Sequence, residues 1–384
     1  MLTKSIKFKN FKSVFKNPLV KKNLKIILHE NNQVLTSLGN LYKDSYKKKE
    51  ISKYKKYLNY RVIGMGGSSL GTKAIYDFLK KKIKKNFNFF DNLQNEIKNS
   101  KKKNHVNLIV SKSGNTVETI VNANLLINRN DKNIFITEKK NSFLISLAEK
   151  LKADIIYHNN YIGGRYSVLS EVGMLPAELM GLNPNNFRTF NSLIKNKKFI
   201  NSLILNVGSL LHFIKKKKFN SIIINYDEKS ESIFKWYQQL VAESLGKKKT
   251  GILPVISNMP RDNHSVMQLY LDGFNNNFFT FFYVNEEKSS KINNNLILNS
   301  QSFLKNKSVK QISLSQKKAT ENVFRKKKIP FRSFQINKRN EQTLGELFSF
   351  FILETILLGK CLNLDPYNQP AVELIKKETK RLLI

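Results

Sequence analysis

Cysteine, histidine, tryptophan and acidic residues are all scarce in this chain. A single cysteine, Cys361, among 384 residues leaves no internal disulfide to form and suits a reducing cytoplasm, which is the expected location. The five histidines stand at no H-E-x-x-H or other metal-ligand spacing, so no metal site is expected. Long apolar runs are missing too. The strongest, residues 347–359, is too short to cross a bilayer and contains Glu354, so it reads as a buried core helix rather than a membrane span. The opening residues mix single aromatics with lysines and lack the apolar stretch of a secretory signal, so none is expected.

Negative charge is outnumbered: 67 Lys and Arg face 28 Asp and Glu, a net charge of +39. Such an excess raises the question of nucleic acid, because clustered lysine attracts phosphate backbones. Here the excess is nearly all lysine and is spread along the whole chain, beside abundant asparagine and isoleucine, the pattern of AT-rich coding. Short runs such as residues 215–218 read as solvated helix ends and loops. No nucleic-acid or membrane partner is expected, although the charge can speed the capture of an anionic substrate.

The length suggests two domains rather than one. Residues 1–45 read as a helical arm. After them, short apolar strands alternate with helices: "YRVIG", "VNLIV", "NIFIT" and "DIIYH", then "NSIIINY", "TGILPVIS", "FFTFFYV" and "PFRSFQI". That alternation predicts an α/β fold of parallel sheets with helices on both faces. The expected division is a first sheet domain over 46–185, a second over 186–340, and closing helices over 341–384.

"RVIGMGGSSLGTK", residues 61–73, looks like a strand, a glycine turn and a helix. It fails as a dinucleotide fingerprint, because Ser69 stands at the third glycine. It fails as a P-loop, because Thr72 precedes Lys73 where the lysine is needed. Gly66, Gly67, Ser68 and Ser69 at a helix N-terminus can still cradle a small anion, and serve equally well as a tight structural turn. "SKSGNT", residues 111–116, repeats the arrangement after the next strand, with Ser111, Lys112, Ser113 and Thr116 around Gly114. Loops after neighbouring strands meet at the carboxyl edge of a sheet, where α/β proteins bind ligands. No adenine or ribose signature accompanies them, so a phosphorylated sugar is the simplest ligand.

Three further stretches carry reactive groups. Arg165 follows two glycines in "GGRYS", and arginine is rare in this chain. Gln239 and Glu243 lie four apart on one helix face with apolar residues between them, a setting for a general base or for an ordinary solvated glutamate. His264 stands at an expected helix start after a proline-containing loop, able to move protons or simply to cap.

These stretches, in this order, resemble the glucose-6-phosphate isomerase (phosphoglucose isomerase) family. "YIGGRYSVLSEVG" and "GKCLNLDPYNQPAVELIK" look like its two signatures, and "QQLVAESLGK" and "NHSVMQLYLDG" match the segments between them. The resemblance implies two sugar-isomerase (SIS) domains, a homodimer, and interconversion of glucose 6-phosphate and fructose 6-phosphate through a cis-enediol without a cofactor. It implies that Ser68, Ser111, Lys112, Ser113 and Thr116 bind the phosphate with help from Gln369, and that Gly67 and Gln239 belong to the substrate-binding set. It makes Glu243 the base, Arg165 the stabiliser of the enediol charge, and His264, from the partner subunit, and Lys376 the groups that open the ring. Ser69 and Ser113 depart from the Asp and Thr of many members, and the part before residue 60 has no recognisable counterpart. The alternatives are a dual phosphoglucose/phosphomannose isomerase and a non-catalytic sugar-phosphate sensor on the same scaffold.

Overall fold

A computed structural model describes residues 2–12, 15, 17–94, 105–285 and 288–384. Its strands in chain order are β1 (Ile6–Lys9), β2 (Asn59–Ile63), β3 (Asn86–Phe90), β4 (His105–Val110), β5 (Lys132–Thr137), β6 (Asp154–Tyr157), β7 (Asn220–Asn225), β8 (Leu253–Asn258), β9 (Asn277–Val284) and β10 (Phe331–Ile336). They form two five-stranded sheets, ordered β3-β2-β4-β5-β6 and β1-β10-β9-β7-β8. Every pairing in the first sheet is parallel, and in the second only β1 runs antiparallel, against β10. The expected α/β architecture of mainly parallel sheets flanked by helices is what the chain adopts. β4 and β9 are buried along their whole length, as strands covered by helices on both faces must be.

Two strands escaped the sequence reading. β1 lies inside the arm expected to be helical. In "IKFK" the lysines alternate with apolar residues, so Ile6 turns inward and is fully buried while Lys7 and Lys9 face out. β3, "NFNFF", alternates asparagine with phenylalanine and pairs with β2; its Phe87 ring stacks on Tyr60 with centroids 4.5 Å apart. Short length and a lysine-rich approach hide both.

The helix Glu341–Cys361 is buried almost throughout, as its apolar run requires, and packs against the helices Pro18–His29, Lys197–Lys215 and Glu231–Leu245. Glu354 inside it is neutralised by Arg332 of β10, which has no exposed surface. Arg332 also donates to Thr280 Oγ1 of β9 and to Asn206 Oδ1, each at 2.9 Å. The hydroxyl of Tyr237 donates to Glu354 Oε1 at 2.9 Å, and burial followed by the nearby carboxylate pushes the phenol far above its ordinary range. This network joins the second sheet, two core helices and the Glu231–Leu245 helix.

Removing one member of a buried ion pair leaves the other charge stranded. Arg332→Met should therefore lower stability by about 3–5 kcal/mol, whereas Arg332→Met combined with Glu354→Leu should lose clearly less. Urea unfolding of the two variants checks this; equal losses would show that the stranded carboxylate is not the cause.

Candidate functional site

The first sheet sets the position. From β2 the chain crosses to β3 on one side, then returns to β4 on the other, so the order reverses between β2 and β4. Ligands of open α/β sheets bind outside the carboxyl ends of the strands at such a reversal. The loops after β2 and β4 leave side by side there: a Cβ added at Gly64 would stand 2.7 Å from the carbonyl oxygen of Val110.

The first loop forms a short turn, Gly66–Ser68, ahead of the helix Leu70–Leu79. Gly66 has φ +54°, a left-handed conformation that favours glycine. Gly67 is pressed on the next segment, since a Cβ there would fall 2.1 Å from the carbonyl carbon of Gly164. Ser69 is buried, with its hydroxyl 3.3 Å from the carbonyl oxygen of Gly66, and Ser68 is half-buried at the turn. In the second loop Gly114 has φ +67°, Ser111 Oγ lies 2.8 Å from Thr116 Oγ1, and Ser113 is exposed. Lys112 does not join them: its ammonium donates to the carbonyl of Asn160 at 2.7 Å and pairs with Glu138 at 3.2 Å.

Arg165 lies in the turn Gly164–Leu169 and is 1% exposed. Its guanidinium donates from Nε to Ser244 Oγ at 2.8 Å and from one terminal nitrogen to Glu243 Oε2 at 3.2 Å and Gln369 Oε1 at 2.5 Å. The other terminal nitrogen donates to the carbonyls of Pro366 and Asn368, at 2.6 and 3.1 Å. Trp236 Nε1 holds the Arg165 carbonyl at 3.1 Å, and the Tyr166 hydroxyl reaches both Ser244 and the Pro366 carbonyl. Glu243 stands near the end of the helix Glu231–Leu245, and Gln239, one turn earlier, donates to its other oxygen at 2.9 Å. Its side chain is 30% exposed, so one face of the carboxylate stays open. It opens on a hollow of about 820 Å³ shared with Lys247, Gln369 and Pro370. Lys247 donates to the Ser244 carbonyl, and its ammonium is held below its ordinary value first by burial and then by Arg165.

Gly67, Arg165, Gln239, Glu243 and Gln369 thus share one constellation, with Ser68 at its edge in the first glycine turn. Ser111 and Thr116 lie in the loop beside that edge. Gln369 sits against Arg165 rather than in either serine loop. Two residues remain apart. Lys376, on the exposed helix Val372–Leu382, pairs with Glu373 at 2.6 Å. His264 is exposed in the turn Arg261–His264 that follows β8, at the carboxyl edge of the second sheet. The Glu231–Leu245 helix starts at that edge and runs back along the sheet for 15 residues, about 22 Å at 1.5 Å per residue. Its end, with Glu243, is therefore at the opposite edge from His264. Ser244, Tyr166, Trp236 and Lys247 were not singled out from the sequence; Ser244 and Tyr166 are next to Glu243 and Arg165 in the chain, and that adjacency was the available signal.

A family model described as Phosphoglucose isomerase matches residues 45–383. The glucose-6-phosphate isomerase of Methanocaldococcus jannaschii is 33% identical over 368 residues, 89% of each chain. Among solved structures, a hypothetical protein from Thermus thermophilus superposes with a TM-score of 0.84 at 21% identity, covering 95% of each chain. A glucose-6-phosphate isomerase from Chlamydia trachomatis gives a TM-score of 0.68 at 17% identity, covering 95% of this chain and 83% of its own.

The contact of Gly67 with Gly164 leaves no room for a side chain. Gly67→Ala should cost about 1–3 kcal/mol, as overpacking does. A denaturation midpoint equal to that of the parent would mean that the two turns are not in contact.

Proposed function

The chain belongs to the phosphoglucose isomerase family, and on that premise we propose that it interconverts D-glucose 6-phosphate and D-fructose 6-phosphate, the aldose–ketose step of glycolysis and gluconeogenesis. The observation that carries the residue-level reading is the Arg165–Glu243 pair, a buried cation fixed beside a partly open carboxylate at the mouth of the sheet reversal. In this scheme the open-chain sugar lies with its phosphate against Ser68, Ser111, Ser113 and Thr116. Backbone N–H groups at helix starts and hydroxyls favour an anion there. Lys112 adds positive charge from behind, and Gln369 borders the same ligand. A phosphate held away from the reacting carbons supplies binding energy that positions them.

Glu243 takes the proton from C2 of the aldose, electrons move to the C1 carbonyl oxygen, and an enediolate forms, with the C2 hydroxyl proton passing to O1. Returning the carbon proton to C1 then leaves the carbonyl at C2, the ketose, so the one carboxylate serves both directions. Arg165 faces the charge that develops on the oxygens; its other bonds hold it in place, so little reorganisation is needed when the charge appears. Gln239 keeps Glu243 oriented. Ring opening needs a proton at the ring oxygen and one removed from the anomeric hydroxyl, and we assign these to His264 and Lys376. His264 at the far edge of its own sheet supports its delivery by a partner subunit, hence a homodimer. Among the described residues no helix is long and apolar enough to cross a membrane, and the cytoplasm is the proposed location.

A coupled assay supplying fructose 6-phosphate tests the reaction. Wild-type protein should form glucose 6-phosphate, unaffected by EDTA, and Glu243→Gln should lose on the order of 10²–10⁴-fold in kcat, the range for a positioned acid–base group. Sugar-phosphate binding without turnover in the folded wild type would reverse the catalytic assignment. For the dimer, mixing Glu243→Gln with His264→Ala subunits should restore part of the activity that each lacks alone. If His264 acts within its own subunit, the mixture stays inactive.

A further inference from the structure

His158 directly follows β6, is 3% exposed, and has no part in the scheme above. Its two ring nitrogens face two acceptors. Nε2 lies 3.0 Å from the carbonyl oxygen of Ile162, and Nδ1 lies 3.2 Å from Glu171 Oε2. A carbonyl only accepts, so Nε2 carries a proton. Glu171 is an acceptor as well: the Tyr42 hydroxyl donates to its Oε1 at 2.7 Å and the backbone N–H of Ser45 to the same oxygen at 3.3 Å. Burial pushes the Glu171 carboxyl up, but the bonds from His158 and Tyr42 outweigh it and hold the group below its ordinary value. The ring thus bridges the Ile162 carbonyl and the Glu171 carboxyl, with a proton shared between Nδ1 and Oε2. Asp44 and Arg188, paired at 2.6 Å, complete the charged surroundings, with the guanidinium 5.1 Å from the Tyr42 ring centre.

Ile162 leads through Gly163 and Gly164 to Arg165, and a double glycine by itself leaves that step loosely defined. The carbonyls before it are held from both sides: Asn160 by Lys112 of the second serine loop, Ile162 by His158. We propose that His158, locked to Glu171, is a positioning residue for Arg165, setting where the double-glycine step begins and so where the guanidinium meets the developing charge. The proposal rests on the isomerase reading. It acts on geometry at the reacting end and leaves the phosphate loops as they are.

The test isolates the ring's two bonds without stranding a charge. In Glu171→Gln the amide oxygen can still accept from Tyr42 and Ser45, and the amide nitrogen can donate to a neutral His158, so each bond survives. Its kcat should stay within about twofold of wild type. Adding His158→Phe should then lower kcat on the order of tenfold, because small misplacements of catalytic groups are costly, with KM changed less than about threefold. In an Arg165→Lys background the same addition should have little further effect, since its target is already gone. An unchanged kcat on adding His158→Phe, or an equal fall in both backgrounds, overturns the proposal. Should the Phe variants fail to fold, imidazole NMR of the wild type decides: the His158 Nε2 proton should exchange slowly, and a ring without a proton on Nε2 overturns the bond pattern. A wild type without isomerase activity would instead sink the functional reading, and that result is known before any substitution is made.

Discussion

A guanidinium sealed from water must spend its donors on protein, and Arg165 does so on two separate parts of the chain. Its bonds reach Ser244 and Glu243 at the end of one helix and Pro366, Asn368 and Gln369 in the C-terminal loop, while its own backbone sits against the first glycine turn. An unpaired charge in that position would be expensive, so each of these segments is held to a narrow range of positions by the others. The site exists because those demands have one shared solution. Trp236 and Tyr166 have polar atoms turned toward it for the same reason, although neither faces the hollow.

Another buried arginine does comparable work in the second sheet. Arg332 and Glu354 link the second sheet to the central helix, and Tyr237 connects that pair to the helix that ends in Glu243. The carboxylate is thus placed from below by packing and from the side by Gln239 and Arg165. Few of its degrees of freedom remain, which suits the proton transfer proposed for it. The diffuse lysine charge has no such specificity: surface pairs like Lys53 with Asp154 are solvated and contribute little.

The parallel sheets were legible because strands buried on both faces read as apolar runs, and "VNLIV" and "FFTFFYV" do so plainly. The serine loops stand out because glycines and helix starts punctuate them, and Arg165 because two glycines precede it, whereas Glu243 is marked only by sharing a helix face with Gln239. β1 and β3 were not, since lysine or asparagine at every second position looks the same in a solvated arm and in an edge strand. Nor could spacing reveal that Lys112 turns to Asn160 and Glu138, or that Ser244 and Tyr166 brace the arginine. Those outcomes depend on which side chains meet across long separations, and one-dimensional periodicity holds no record of them. His158 shows this most clearly: its partners, Ile162 and Glu171, are close in sequence, yet only the fold brings both ring nitrogens onto them.

The pairing of Ile6 with Ile336 joins the first strand of the chain to the last. A ribosome makes β10 long after β1, so β1 has no partner while the strands between them are being made. During that interval its lysines keep it hydrated and discourage it from pairing with strands of neighbouring nascent chains. The second sheet gains its outer edge only once β10 has emerged and added to β9. The outer edge of the second sheet is therefore completed after its other strands have been made.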